Sequence, residues 1–214
     1  MTRSPFVIAV DGPAASGKGT IAAGLARAYG YPALDTGLLY RAVGMAVEDL
    51  GDEAAAVVAA RKLDPEDLEN PVLRSREAGE AASRVAIYPG VRAALRQFQQ
   101  NFAAREPGSV IDGRDIGTVI APDAPAKLFV TARPEIRAER RWRQLSGQGE
   151  AVSLDEVLAD IRRRDERDSA RSAAPLTVAA DAVLLDTSEM TIEQAADAAR
   201  RIVEAARVRW EKTP

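Results

Sequence analysis

The chain of 214 residues contains no cysteine and no histidine. Without cysteine it can form neither disulfides nor a thiolate nucleophile, and without histidine it can form no Ser-His-Asp triad. The usual zinc sites, which depend on these two residue types, are excluded as well. Any proton transfer must therefore fall to carboxylates, to lysine or to a bound substrate. We expect a cytoplasmic protein, with which the absence of cysteine is compatible.

Other features are scarce rather than missing. Only four of the 29 Lys and Arg residues are lysine, and the rest are arginine. No apolar run approaches the roughly 20 residues that span a bilayer, and the net charge of -3 argues against a surface that coats nucleic acid. The short apolar run after Arg3 lacks a small-residue cleavage site, so it indicates a first strand and not a secretion signal.

Short apolar runs alternate with helical patterns along the chain. Strands are predicted at residues 6–10, 33–34, 109–111, 127–131 and 182–185, and helices at 21–29, 38–50, 89–104, 135–145, 154–171 and 192–210. This alternation predicts an α/β fold in which a five-stranded parallel sheet is flanked by helices. Residues 53–86 show no strand alternation and are broken by Pro65 and Pro71, so they indicate a helical insertion.

Residues 11–20 read DGPAASGKGT and nearly match the phosphate-binding pattern G-x-x-x-x-G-K-[ST]. Both glycines and Lys18 are in register, but Gly19 stands at the hydroxyl position and Thr20 follows one place late. A turn of this kind before a helix offers backbone N–H groups and a positive helix end to a di- or triphosphate. Lys18 would reach the outer phosphates, and Thr20 or Ser16 would approach a magnesium ion. The loop alone fits a switch, a motor or a kinase.

Two polar segments follow predicted strands, where an open α/β sheet binds its ligands. LDTGLLYRA follows the second strand and IDGRDIGT occupies residues 111–118. The fork of Arg114 can donate two hydrogen bonds to one phosphate. Asp115 can orient that fork or accept from the exocyclic amino group of a base, and Asp112 is placed to hold magnesium-bound water.

A stripe on one face of the helix predicted at 154–171 changes from apolar to charged along its length. Positions 154, 157, 161, 164, 168 and 171 share one face and read Leu, Val, Ile, Arg, Asp, Arg. Because desolvating unpaired charges is costly, this end should face a charged ligand or a wet cleft, the alternative being that the helix emerges into solvent. Residues 133–171 contain ten arginines and nine acids around the joint SGQG, which favours a mobile, salt-bridged lid.

Five segments together resemble the bacterial cytidylate kinases, a family of nucleoside-monophosphate kinases, over residues 6 to about 206: GPAASGKGT, LDTGLLYR, DGRDIGT, PDAPAKLFVTA and RRDERDSARSAAPL. GKGT is typical of nucleoside-monophosphate kinases generally, whereas DGRDIGT with RDxxRxxAPL is far more specific. The resemblance implies a magnesium-dependent enzyme that moves the γ-phosphate of ATP to CMP or dCMP. It also implies one P-loop kinase domain over residues 1–214, with a core of 1–35, 87–132 and 172–214, a short insertion of 36–86 that binds the monophosphate, and a lid of 133–171.

The resemblance also implies a role for each matching residue. ATP would be bound by Gly12, Pro13, Ala14, Ala15, Ser16, Gly17, Lys18, Gly19, Thr20, Arg137 and Arg141. CMP would be bound by Asp35, Thr36, Arg41, Ser83, Arg92, Gly113, Arg114, Asp115, Arg164 and Asp168. Within that set, the phosphate falls to Arg41, Arg92 and Arg114, and the cytosine edge to Ser83, Asp115 and Asp168. Lys18, Arg114, Arg164 and Arg171 would stabilise the transferring group, and Thr20 and Asp112 would hold Mg²⁺ directly or through water. No nucleic acid or membrane partner is implied, and a monomer is expected.

Two alternatives remain at this stage. A kinase for adenylate, uridylate or a shikimate-like alcohol is the nearer one. Adenylate kinases generally have a second glycine where Ala15 stands, and an alcohol substrate does not require Arg41, Arg92 and Arg114 together. The other alternative, an inactive nucleotide-binding regulator, would typically have lost Lys18 or the lid arginines. One departure from many bacterial members is that the insertion is shorter here and lacks their strand-rich part.

Overall fold

The computed structural model describes residues 4–171 and 173–212. The residues outside this description are 1–3, 172, 213 and 214, which include parts of the predicted core segments.

Five parallel strands form one sheet in the order β2-β3-β1-β4-β5. The strands are β1 (Phe6–Asp11), β2 (Ala33–Asp35), β3 (Gly108–Gly113), β4 (Ala126–Thr131) and β5 (Val183–Asp186). Every residue of β1 and β3 is buried, as expected for central strands covered by helices on both faces. The predicted α/β class and five-stranded parallel sheet are confirmed.

Eight α-helices among the described residues surround this sheet. They are α1 (Lys18–Tyr29), α2 (Thr36–Met45), α3 (Glu53–Lys62), α4 (Arg76–Val85), α5 (Pro89–Ala103), α6 (Pro134–Gly147), α7 (Leu154–Ala170) and α8 (Ile192–Lys212). Side chains alternate across β1, so Val7 and Ala9 pack with α2, α3, α4 and α5, whereas Ile8 and Val10 pack with α1 and α8. A third, smaller apolar cluster joins α6 to α7.

Some boundaries differ from the sequence predictions. The helix predicted at 38–50 begins at Thr36 because the Asp35 side chain accepts the Gly37 N–H at 2.9 Å and caps it directly after β2. It ends at Met45, and a turn follows in which Asp49 accepts from the Gly51 N–H. A five-residue π-helix (Ile116–Ile120) was not predicted, because so short an element has no periodic signal.

The insertion is helical, as predicted from residues 53–86. It consists of α3, two 3₁₀ turns (Pro65–Glu69 and Pro71–Arg74) and α4, and none of its residues is in a strand. Each 3₁₀ turn begins with a proline after an Asp or Asn cap, which explains how the prolines break the helical pattern. Within the described part of the chain, no helix has the length and apolar character needed to cross a membrane.

Candidate active site

The turn between β1 and α1 has a geometry that its sequence requires. Gly12 has φ 152°, and a Cβ there would lie 2.0 Å from the carbonyl oxygen of Val130. The turn therefore admits only glycine at this position. Helix α1 starts at Lys18, after Gly17, and no side chain caps it. Its first N–H groups are consequently free to bind an anion.

A cavity of about 1170 Å³ opens at this turn, beyond the carboxyl ends of the strands. This volume lies slightly above the range of about 300–1,000 Å³ that is usual for single-ligand pockets. Every predicted site residue except Gly12, Pro13 and Arg137 lines it. The predicted residues that line it are Ala14, Ala15, Ser16, Gly17, Lys18, Gly19, Thr20, Asp35, Thr36, Arg41, Ser83, Arg92, Asp112, Gly113, Arg114, Asp115, Arg141, Arg164, Asp168 and Arg171.

Two of the arginines lie against Gly79 of α4. A Cβ on that glycine would lie 3.3 Å from Nη1 of Arg164 and 3.6 Å from Nη2 of Arg41. Among the described residues neither guanidinium has an ion pair, although Arg41 donates to the carbonyl of Leu73 at 2.6 Å. Burial, followed by the charges of Arg114 and Arg41, lowers the pKa of Arg164 to about 10. Burial, followed by the charge of Arg141, lowers the pKa of Arg41 to about 10. Crowded cations of this kind are stabilised by an anionic ligand.

The charged end of the α7 stripe faces the same cavity and not bulk solvent. Asp168 is buried and accepts from Nε of Arg114 at 2.9 Å and from the guanidinium of Arg171. Burial alone would raise the pKa of Asp168, but the charges of Arg114, Arg171 and Arg164 outweigh it and hold the pKa below its usual value. The pairing keeps Arg114, which directly follows β3, close to Arg171, which directly follows α7.

A second buried ion pair joins Arg92 of α5 to Asp115. Nη2 of Arg92 lies 2.5 Å from Oδ2 of Asp115, and Nη1 donates to the carbonyl of Ala86 at 3.3 Å. The guanidinium also lies over the Tyr40 ring, 5.6 Å from its centroid. Arg92 thus has an acidic partner within the site, unlike Arg41 and Arg164.

Lys18 and Asp112 lie together at the floor of the cavity. Burial, followed by the charge of Arg114, lowers the pKa of Lys18 to about 8. Burial, followed by the charge of Asp35, raises the pKa of Asp112 to about 7 despite the attraction of Lys18. A carboxylate here and the Thr20 hydroxyl in the first turn of α1 are the oxygen ligands that Mg²⁺ prefers. In residues 4–171 and 173–212 no three acidic side chains form a metal cage, and Mg²⁺ commonly needs only one or two protein oxygens besides nucleotide phosphates.

Four buried side-chain atoms in the site make no hydrogen bond within the described structure. They are Oγ of Ser16, Oγ of Ser83, Nε of Arg164 and Nε of Arg171. Unsatisfied buried polar atoms cost stability, so a ligand that pairs with them is favoured.

Arg137 differs from its predicted place. Its buried guanidinium donates to the carbonyl of Ala14 at 3.2 Å and to both carboxylate oxygens of Asp165, at 3.0 and 2.6 Å. It supports the turn without lining the cavity, and its Nε also donates to the carbonyl of Ala132, just past the end of β4, at 2.8 Å. Arg140, to which the sequence analysis assigns no site role, lines the cavity and donates to the carbonyl of Ser16 at 3.3 Å and to Thr187. Its spacing of three from Arg137 was the available signal.

Comparisons with known proteins bear on the family of the chain. The sequence model of the family described as Cytidylate kinase matches residues 8–205. The chain belongs to the cytidylate kinase family. Similar curated members include "Cytidylate kinase" of Caulobacter sp. (strain K31), 71% identical over 96% of this chain and 97% of that protein. "Cytidylate kinase" of Xanthobacter autotrophicus is 65% identical over 94% of this chain and 99% of that protein.

A solved structure supports the fold independently. An uncharacterized protein from Eubacterium ventriosum superposes with a TM-score of 0.55 and 17% sequence identity, covering 94% of this chain and 98% of that one. Family membership makes the present protein an ATP-dependent nucleoside-monophosphate kinase.

Proposed function

We propose that this member of the cytidylate kinase family transfers the γ-phosphate of ATP to CMP or dCMP, giving ADP and CDP or dCDP. The observation that carries the proposal is the cluster of Lys18, Arg41, Arg114 and Arg164 around one cavity at the glycine-rich turn. Two nucleotides that meet by their phosphates supply the negative charge that this cluster lacks.

ATP occupies the end of the cavity formed by the glycine-rich turn. The backbone of residues 14–20 and the start of α1 hold its phosphates, Lys18 contacts the outer ones, and Arg141 approaches from α6. Gly12, Pro13 and Arg137 act one layer back, since they shape or support the turn without lining the cavity. Thr20 and Asp112 would hold Mg²⁺, which supplies neutralising charge to the phosphates when bound.

The monophosphate occupies the other end, between α2, α4 and α7. Arg41 and Arg114 hold its phosphate, while Ser83, Asp115 and Asp168 face the cytosine. The unpaired hydroxyl of Ser83 supports this assignment because a base can satisfy it. Arg92 would have to exchange its partner Asp115 to reach the phosphate directly, so its main contribution is to orient that carboxylate.

In the reaction an oxygen of the CMP phosphate attacks the γ-phosphorus of ATP, and the bond to the β–γ bridging oxygen breaks to release ADP. Phosphoryl transfer has a loose transition state and rewards positioning and charge more than acid–base chemistry. Lys18, Arg114, Arg164 and Arg171 stabilise the charge on the transferring group. The absence of histidine is no obstacle to such a reaction. We further propose that residues 36–86 and 133–171 close on the two substrates, and that the enzyme acts as a cytoplasmic monomer.

A coupled assay of ADP formation tests the function. With Mg²⁺ and ATP we expect turnover of CMP and dCMP, slower turnover of UMP, and none with AMP or shikimate. Tight binding of ATP without turnover of any acceptor would contradict the proposal and favour an inactive regulator.

A further inference from the structure

Asp11, the last residue of β1, is a buried carboxylate for which the proposed mechanism has no role. Only 5% of its surface is exposed. Oδ1 accepts the N–H of Ile116 and Oδ2 accepts the N–H of Gly117, each at 2.8 Å. These two donors open the π-helix (Ile116–Ile120), more than a hundred residues away along the chain. Burial raises the pKa of Asp11 to about 6, so the group is ionised at neutral pH and both oxygens can accept.

The backbone that Asp11 holds carries the acceptor side of the site. Arg114 and Asp115 come directly before Ile116, and both line the cavity. Strands β1 and β3 are in register at Asp11 and Gly113, so main-chain pairing ends where these two side chains begin. Beyond that point the Asp11 carboxylate provides a connection between β1 and the residues that follow β3. Gly12, which begins the phosphate-binding turn, directly follows Asp11 and so comes just after the end of β1.

We infer that Asp11 is a positioning residue that fixes Arg114 and Asp115 relative to the phosphate-binding turn, and so sets the distance between acceptor and donor phosphates. The inference rests on the proposed function. Holding two reacting groups in a fixed orientation accelerates their reaction, and a displacement of about 1 Å is enough to lose much of that acceleration. Asp11 touches neither substrate, since it acts through the backbone of Ile116 and Gly117.

Asp11→Asn tests this with the smallest change. The amide has nearly the same volume, but it offers one acceptor oxygen and turns its NH₂ toward the second backbone N–H. Two donors then face each other, and the turn must move. We expect the KM for CMP to rise about five- to twenty-fold and kcat to fall by a similar factor, while the KM for ATP stays within about twofold of wild type. Asp11→Ala, which removes both acceptors, should go further in the same direction.

A merely structural role would give a different result. Val203 on α8 is fully buried and lies away from the cavity, so Val203→Ala destabilises the fold without touching the site. It serves as the control for effects that come from lost stability alone. It should lower the melting temperature while leaving both KM values unchanged. If Asp11→Asn lowers the melting temperature but leaves the KM for CMP and kcat per folded molecule as in wild type, the inference is overturned.

A variant at Gly117, whose N–H donates to Asp11, tests the same inference if the Asp11 variants do not fold. A Cβ at Gly117 would lie 3.4 Å from Oδ2 of Asp11 and 3.2 Å from Cδ of Lys127, so Gly117→Ala crowds the same hydrogen bond. It should raise the KM for CMP about two- to five-fold, and an unchanged KM would count against the inference. Wild type is assayed first: failure to phosphorylate CMP would overturn the proposed function, whereas equal KM values in wild type and variants would overturn only the role of Asp11.

Discussion

Side chains with the same charge behave differently in this site according to their partners. Arg114 and Arg171 are paired with Asp168, and Arg92 with Asp115, whereas Arg41 and Arg164 have no ion pair among the described residues. A paired buried arginine contributes to the fold, but an unpaired one among other cations opposes it. Residues that oppose the fold and support a ligand are the ones whose removal separates activity from stability.

Replacement of Arg164 is the clearest case. We expect Arg164→Ala to lower kcat about 10²- to 10³-fold, the loss typical of one fixed transition-state donor. The melting temperature of the nucleotide-free protein should stay equal or rise, because a buried repulsion with Arg114 and Arg41 is removed. Arg162→Ala is the matched control, since Arg162 lies on the same helix but is exposed and paired with Glu135. A large loss of stability in Arg164→Ala would show that the arginine is structural.

Replacement of Arg41 should act on binding. The expected result for Arg41→Ala is a KM for CMP raised tenfold or more, since a charged hydrogen bond is worth about 1.5–3 kcal/mol and each 1.4 kcal/mol is tenfold. The KM for ATP should change little. Steady-state kinetics with one substrate varied at a time measures both values, with Arg96→Ala on the exposed face of α5 as the control. An unchanged KM for CMP would place the acceptor phosphate elsewhere.

The raised pKa of Asp112 gives a prediction with a definite sign. Its folded value of about 7 lies above the ordinary 3.8, so between these values the folded state binds the proton more tightly and stability falls as pH rises. Asp112→Asn removes the charge. The nucleotide-free variant should therefore be more stable than wild type at pH 8, by about 1–3 kcal/mol, with the difference shrinking toward pH 5.

Urea unfolding of both proteins at the two pH values measures this difference. Asp11 also titrates in an overlapping range, and it is present in both proteins. Kinase activity should fall in the variant if Asp112 holds Mg²⁺. A variant less stable than wild type at pH 8 would mean that the Asp112 charge is well paired in the fold.

At the scale of elements, periodicity and turn residues predicted the sheet and the helices that frame the site. The α7 stripe predicted which side chains would be brought to the cavity because three- and four-residue steps keep one helical face. Spacing on α6 did not separate Arg137 from Arg140 and Arg141, since residues only three or four apart share a face and the depth of each depends on packing against α7 and the turn. The link from Asp11 to Ile116 joins distant residues, and no local pattern encodes it.

Ion pairs between the insertion and the lid also depend on tertiary packing. The two carboxylate oxygens of Glu80 on α4 accept hydrogen bonds from the two terminal nitrogens of Arg167 on α7, at 2.8 and 2.7 Å. In a second pair, Nε of Arg76 lies 2.6 Å from Oδ2 of Asp160. The Arg167 guanidinium, partly offset by burial, lowers the pKa of Glu80, so the pair persists at neutral pH. These contacts hold the two elements that would close over the substrates.

Loosening that contact should increase motion of the lid. For Glu80→Gln we expect amide hydrogen exchange in α7 about two- to five-fold faster without nucleotide, which corresponds to a partly exposed pair worth up to about 1 kcal/mol. ATP and CMP together should slow exchange across residues 133–171 in wild type and variant alike. Glu139→Gln is the control, because Glu139 pairs with Arg143 within α6 and bridges no elements. Equal exchange in all three proteins would show that the pair does not restrain the lid.

At the scale of the whole molecule, the sheet presents the ends of β1 and β3 to one cavity, and two helical segments from opposite sides complete it. The cationic groups of the cavity come from α1, α2, α5, α6, α7, the second 3₁₀ turn and the residues after β3. The site therefore exists only when the insertion, the lid and the sheet are in contact. If the two segments close on the substrates as proposed, they would exclude water from the transferring group, and their reopening would release the nucleotides.

A crystal structure with CMP and a non-hydrolysable ATP analogue tests this account most directly. We expect the CMP phosphate to lie within about 3 Å of the guanidinium groups of Arg41, Arg114 and Arg164, and the terminal phosphate of the analogue to lie beside Lys18. A CMP phosphate bound away from these arginines, or arginines turned out of the cavity into other ion pairs, would contradict it.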